Sequence, residues 1–127
     1  MRDLIVSVVI ILVLIGGWLF FDSYSDNTVS SMADDIRREL IPSVESENWS
    51  ESLAKAESIW DEWCDYKGKA LLFLGSDELL EIDQCMAKAL KYIQARDVSN
   101  SSGELNALAQ QLDFLIAREK INAENIF

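Results

Sequence analysis

Histidine is absent from this 127-residue chain. Its absence removes imidazole acid–base chemistry, Ser-His and Cys-His nucleophile pairs, and most zinc sites. No glycine-rich phosphate loop, dinucleotide fingerprint or Asp-x-Asp-x-Asp-Gly calcium loop occurs either. Proline appears once, as Pro42, and glycine five times, so few positions can break a helix. Alternating β-branched runs, the mark of strands, are scarce. Neither of the two cysteines, Cys64 and Cys85, belongs to a Cys-x-x-Cys pair, which excludes the common redox motif. No enzymatic activity, cofactor or metal is expected. Acidic pairs one turn apart, Glu78 with Glu81 and Asp61 with Asp65, can meet a divalent cation, but such pairs are ordinary on a solvated helix.

Charge is missing altogether between Leu4 and Phe21. At about 1.5 Å per residue this run spans roughly 27 Å, close to a hydrocarbon core of about 30 Å. A buried core helix would be amphipathic, whereas this stretch is apolar on every side. A cleaved signal peptide is the competing reading. Its apolar region is shorter, about 7–15 residues, and ends at a small-x-small site. Here the run closes on the bulky Trp18, Phe20 and Phe21, which suit a membrane interface, and Ser23 and Ser25 make a poor cleavage site. The expectation is an uncleaved transmembrane anchor over residues 1–23. Gly16 and Gly17 are small enough to let another helix approach closely in lipid. Arg2 and the amino terminus precede the run, while Asp22, Asp26, Asp34 and Asp35 follow it before Arg37. Positive flanks stay inside, so the amino end is expected in the cytoplasm and the bulk outside it.

Residues 24–127 are expected to form an extracytoplasmic helical domain. From residue 22 onward there are ten basic against twenty-one acidic side chains, so this part carries the whole formal charge of −11. Such a surface repels nucleic acid and anionic lipid headgroups. Val29, Met32, Ile36 and Leu40 mark one face of a helix that Pro42 should kink or end. Asn48 and Glu51 have capping-box spacing for a second helix, with Trp49, Leu53, Ala56, Trp60, Trp63, Ala70 and Leu74 as its apolar series and Lys67 as a polar intruder. Gly75-Ser76 reads as a turn. A third helix shows Leu79, Ile82, Met86, Ala89 or Leu90, and Ile93. After a polar loop from Val98 to Gly103, Ser101 and Glu104 have the spacing to open a fourth, with Leu105, Leu108, Leu112 and Leu115 or Ile116. The fold class is therefore all-α: an N-terminal transmembrane helix followed by a small antiparallel bundle of three to four helices, each burying its stripe on a neighbour.

Cys64 and Cys85 lie almost level across a hairpin turning at Gly75. In an oxidising exterior a disulfide here would contribute roughly 3 kcal/mol. The alternative is two small residues that stay reduced.

Several segments together resemble a bacterial family catalogued as domain of unknown function 4363. They are the apolar start with its amphipathic continuation, Asn48-Trp49 with Ala54 or Ala56 and then Trp60 and Trp63, Leu79 to Ile93 ending Leu90-Lys91-Tyr92-Ile93, and Gly103-Glu104-Leu105 with Glu124-Asn125-Ile126. The resemblance implies a membrane-anchored helical protein of spore-forming Gram-positive relatives and implies no catalytic residues. Members often carry a His before the third helix where this chain has Ser76, so no role of that His carries over. The expected function is an interaction or assembly module tethered to the membrane, working with a membrane-protein partner or as a homo-oligomer. The alternative is a sensory or small-ligand-binding module acting through such a partner.

Overall fold

The computed structural model describes residues 1–72 and 76–126; at residues 22 and 119–126 only the backbone is described. The described residues form four helices: α1 (Arg2–Glu45), α2 (Trp49–Ala70), α3 (Ser76–Gln94) and α4 (Val98–Ile126). Helix α1 packs on α2 and α4, and α3 packs on the same two. The chain therefore runs up, down, up and down around one core, and α1 lies diagonally opposite α3. The core is a single cluster. It takes Val29, Met32, Ile36, Leu40 and Val44 from α1, and Ile59, Trp63, Tyr66 and Ala70 from α2. Helix α3 adds Leu79, Ile82, Met86, Ala89 and Ile93, and α4 adds Leu105, Leu108, Leu112 and Leu115.

Two ion pairs fix the register of α1 between its neighbours: Arg37 Nη2 with Asp113 Oδ2 of α4 at 2.6 Å, and Lys55 of α2 with Glu39. Hydrogen bonding to Asp113 holds the Arg37 guanidinium above its ordinary pKa. Where α1 ends and α2 begins, two buried serines meet. Ser43 Oγ lies 2.8 Å from Ser52 Oγ, and each is also within hydrogen-bonding reach of a backbone carbonyl, Leu40 and Asn48 respectively, so one hydroxyl donates to the other serine while the second donates to its carbonyl. Small hydroxyls that satisfy each other let the two backbones approach without burying an orphan polar group.

Helix α1 does not stop at Pro42. It widens into a π-type turn over Ile36–Leu40, closed by the Ile41 N–H donating to the Ile36 carbonyl, and continues to Glu45. The wide turn has a packing use. In a regular helix Val44 would sit about 80° round from Ile36; the extra residue in the turn brings Ile36, Leu40 and Val44 onto one face, and all three are buried. Proline sits directly after this turn, near the start of the resumed α-helix.

The two turns at the Glu45 end of the bundle are built alike. Glu47 (φ 58°) and Arg96 (φ 57°) adopt the left-handed conformation. At the first, the Glu47 and Asn48 N–H groups donate to Val44 and Ser43; at the second, those of Arg96 and Asp97 donate to Ile93 and Tyr92. Both are Schellman closures. Asn48 and Asp97 then each begin the next helix, accepting from the Ser52 and Ser101 N–H groups. Asn48 does not cap α2 with its side chain, as the Asn48–Glu51 spacing suggested; its amide donates to Glu51 Oε2 at 2.7 Å. The fourth helix starts at Val98, not after a loop to Gly103. Asp97 opens it, accepting from the Asn100 N–H at 3.0 Å and the Asn100 amide at 2.6 Å, and these bonds lower its carboxyl pKa. Ser101 is thus inside the helix and fully buried.

The stripe of α3 is as its sequence spacing implies. That of α2 is rotated: Ile59 and Tyr66 are buried with Trp63 and Ala70, while Trp49, Leu53, Ala56 and Trp60 pack only at the edge. Leu74 and Gly75 lie outside the described residues. Ser76 is the first residue of α3, with Asp77 and Glu78 in its first turn, where the helix dipole favours acidic groups.

Candidate functional site

Helix α1 has 44 residues against 22 in α2, about 66 Å against about 33 Å. Its N-terminal half therefore projects past the bundle. Every large side chain from Leu4 to Ile15 is exposed, and only 6% of the most apolar stretch is buried. By length and composition this is a candidate membrane span. Gly16 and Gly17 lie within it, and a Cβ on either would meet nothing within 4 Å. Their small size serves no contact among the described residues.

Trp18 is half-buried and Phe21 is the first buried residue, with no break in the helix where the anchor was expected to end at residue 23. Phe21 stacks on Tyr66 with centroids 6.2 Å apart, Tyr24 approaches the same ring at 6.1 Å, and Trp63 at 5.6 Å. The Tyr66 hydroxyl lies 2.5 Å from Ser25 Oγ; both groups are fully buried, where a hydroxyl needs a partner. At the rim, Lys69 Nζ donates to the Tyr24 hydroxyl at 3.4 Å and sits 4.9 Å from the ring centroid. That hydrogen bond, then the Asp65 charge, raises the Lys69 pKa.

Beside Tyr66, on the side of α2 that faces α3, lies a polar node. Trp63 Nε1 donates to Asp83 Oδ1 at 2.5 Å, and Lys67 Nζ donates to Asp83 Oδ2 at 2.9 Å. Asp83 thereby satisfies a buried indole and raises the pKa of Lys67, mainly through the hydrogen bond. The sequence flagged Lys67 as an intruder in an apolar series; its partner on α3 was the part not legible.

Between α3 and α4 runs a groove of about 380 Å³ lined by Glu78, Ile82, Gln111, Phe114 and Arg118, among others. Arg118 Nη1 pairs with Glu78 Oε1 at 2.5 Å. Gln111 Oε1 is buried with no hydrogen-bond partner among the described residues. Of the acidic pairs picked out in the sequence, Glu78 is taken by Arg118 and Asp65 by Lys69. Among the described residues no three Cys, Asp or Glu side chains converge as metal ligands.

Cys64 and Cys85 are free thiols here. Cys64 is exposed on α2. Cys85 is half-buried on α3 and turned toward Glu104 and Gln111 of α4 rather than toward α2. Matching sequence distances from a turn place two residues at one height; they do not aim them at each other. Burial, followed by hydrogen bonding to Glu104, pushes the Cys85 thiol pKa up, which keeps it protonated and a poor nucleophile.

No curated protein and no solved structure matches this chain. A family model does match, over residues 19–126, which leaves out most of the exposed apolar half of α1 and begins where the helix turns into the bundle. The chain belongs to the family described as Domain of unknown function (DUF4363).

Proposed function

We propose that this protein is a membrane-anchored interaction or assembly module, with the first half of α1 crossing the bilayer and the four-helix bundle held outside the cytoplasm. The observation that carries this reading is the helix that is apolar on every side and left unpacked by the rest of the chain. In water such a surface is far larger than the apolar patches ordinary monomers expose; in lipid it is in its preferred solvent. The orientation rests on Arg2 before the run and the acidic residues after it. A partner is favoured because Gly16 and Gly17 leave room for a second helix, and because the bundle presents acidic surface rather than a nucleophile with a base.

The test uses the exposed native thiol. A membrane-impermeant maleimide applied to intact cells should label Cys64, and the protein should stay in the membrane pellet through an alkaline wash. Labelling only after lysis would reverse the orientation, and release by the wash would remove the anchor. Crosslinking in the membrane should then yield a discrete adduct that Gly16→Leu abolishes; a monomer under all conditions argues against assembly.

The α3–α4 groove favours a second reading, a sensory module that takes a small ligand between helices. Thermal stabilisation by small amphiphiles, lost in Phe114→Asp, would support it.

A further inference from the structure

The end of α2 combines two features that conflict in water. Leu71 is 53% exposed and Leu72 81% exposed, yet they are large apolar residues at the tip of an otherwise acidic bundle. Their height along the molecule is set by the contacts beneath them. Tyr66 lies beside Phe21, Tyr24 and Ser25, and Lys69 reaches Tyr24. Because α2 runs antiparallel to α1, the six residues from Tyr66 to Leu72 carry the chain about 9 Å toward the amino-terminal end of α1. Leu72 therefore stands level with the last turn of the apolar run, where Leu19 is 52% and Phe20 77% exposed. The helical turn continues through it, with the Leu71 and Leu72 N–H groups bonded to Lys67 and Lys69, so the two leucines project from an ordered backbone. Beside them Lys69 carries an exposed ammonium whose long stem can lie along apolar surface while its head stays in the wet layer.

We propose that Leu71 and Leu72 form a second membrane contact, dipping into the interfacial layer of the same bilayer that α1 crosses. The inference rests on the reading of α1 as a membrane span. The occupant is lipid rather than another protein because the tip sits at the height where the span leaves the bilayer, so α1 itself brings it to the headgroups. Two points of attachment, one through the bilayer and one at its surface, fix the tilt of the bundle as well as its location.

Site-directed fluorescence separates this inference from the reading beneath it. In full-length protein carrying Cys64→Ser and Cys85→Ser, a polarity-sensitive label is placed in turn at Leu12→Cys, Leu72→Cys and Ser99→Cys. The protein is reconstituted in phosphatidylcholine nanodiscs with and without spin-labelled lipids, one carrying its nitroxide near the headgroup to reach position 72 and one carrying it deep in the acyl chain to reach position 12. The expected result is a blue shift and loss of emission at 12 and 72, and neither at 99, on the far end of the bundle. Loss at 12 with none at 72 overturns the surface contact and leaves the span standing. No loss at 12 overturns both. A blue shift at 72 that resists the quencher and grows with protein-to-lipid ratio places a second copy on the tip, and overturns the lipid contact as well. Leu72 is on the surface, so its replacement leaves the core intact, which an unchanged thermal melt checks.

Discussion

Val13 and Val29 are the same residue on the same helix, yet Val13 is 67% exposed and Val29 fully buried. What separates them is their company. Around Val13 every position is apolar, so no face is singled out for packing. Around Val29 the apolar residues form a stripe between Asp26, Ser30 and Asp34, and the stripe finds α2 and α4. Amphipathicity, not hydrophobicity, recruits neighbours in water. The most apolar stretch of α1, from Leu4 to Ile15, is the stretch that contributes nothing to the core.

That contrast can be broken most forcefully at Trp63. Trp63→Ala removes a fully buried indole and leaves Asp83 without one of its donors, and should cost the bundle about 3–5 kcal/mol in urea unfolding. The same experiment on Leu12→Ala should move the bundle by less than about 0.5 kcal/mol. A comparable loss from Leu12→Ala would mean that the two halves are not energetically separate. Tyr66→Phe is smaller. It keeps the ring stack and deletes the hydroxyl that meets Ser25, for a loss of about 1 kcal/mol.

Two changes should stabilise. Ser101 is fully buried with no partner for its hydroxyl among the described residues, so Ser101→Ala should raise stability by about 1 kcal/mol, visible as a higher melting temperature. Arg96 holds a left-handed conformation that glycine adopts without strain, and Arg96→Gly should gain about 0.5–1 kcal/mol. A loss at either site would show a role for that side chain beyond the contacts described. The smallest effect is at Asp97. Its carboxyl pKa is lowered below the ordinary 3.8 by the Asn100 bonds. The contribution is therefore present above the unfolded value and lost as pH falls through the folded one. Acid melts below about pH 4 should show a shallower decline in Asp97→Asn than in the parent.

The stripes of α3 and of the second half of α1 could be read from sequence because their apolar residues repeat at three and four without distraction. In α2 the tryptophans mislead, because Trp49 and Trp60 dominate any hydrophobic count yet pack only at the edge of the core. Tyr66 and Ile59, at the spacing that continues from Trp63, mark the buried line. The left-handed turns were harder to read, since Glu47 and Arg96 stand where glycine would have announced them. The wide turn of α1 leaves a trace only in hindsight, as the spacing of four between Ile36, Leu40 and Val44. At the candidate site, the apolar run was plain in the sequence. The height of Leu72 was not, because it depends on the antiparallel register that Tyr66 and Tyr24 set.

Helix α1 passes from its apolar half into the bundle with no linker between them. Slack is therefore absent from that joint, and the bundle is geared to the apolar half of the helix. Adding one residue near Ser23 would swing the whole acidic body by about 100° and raise it about 1.5 Å. A twist or a piston stroke applied to the first half would arrive at the second almost undiminished.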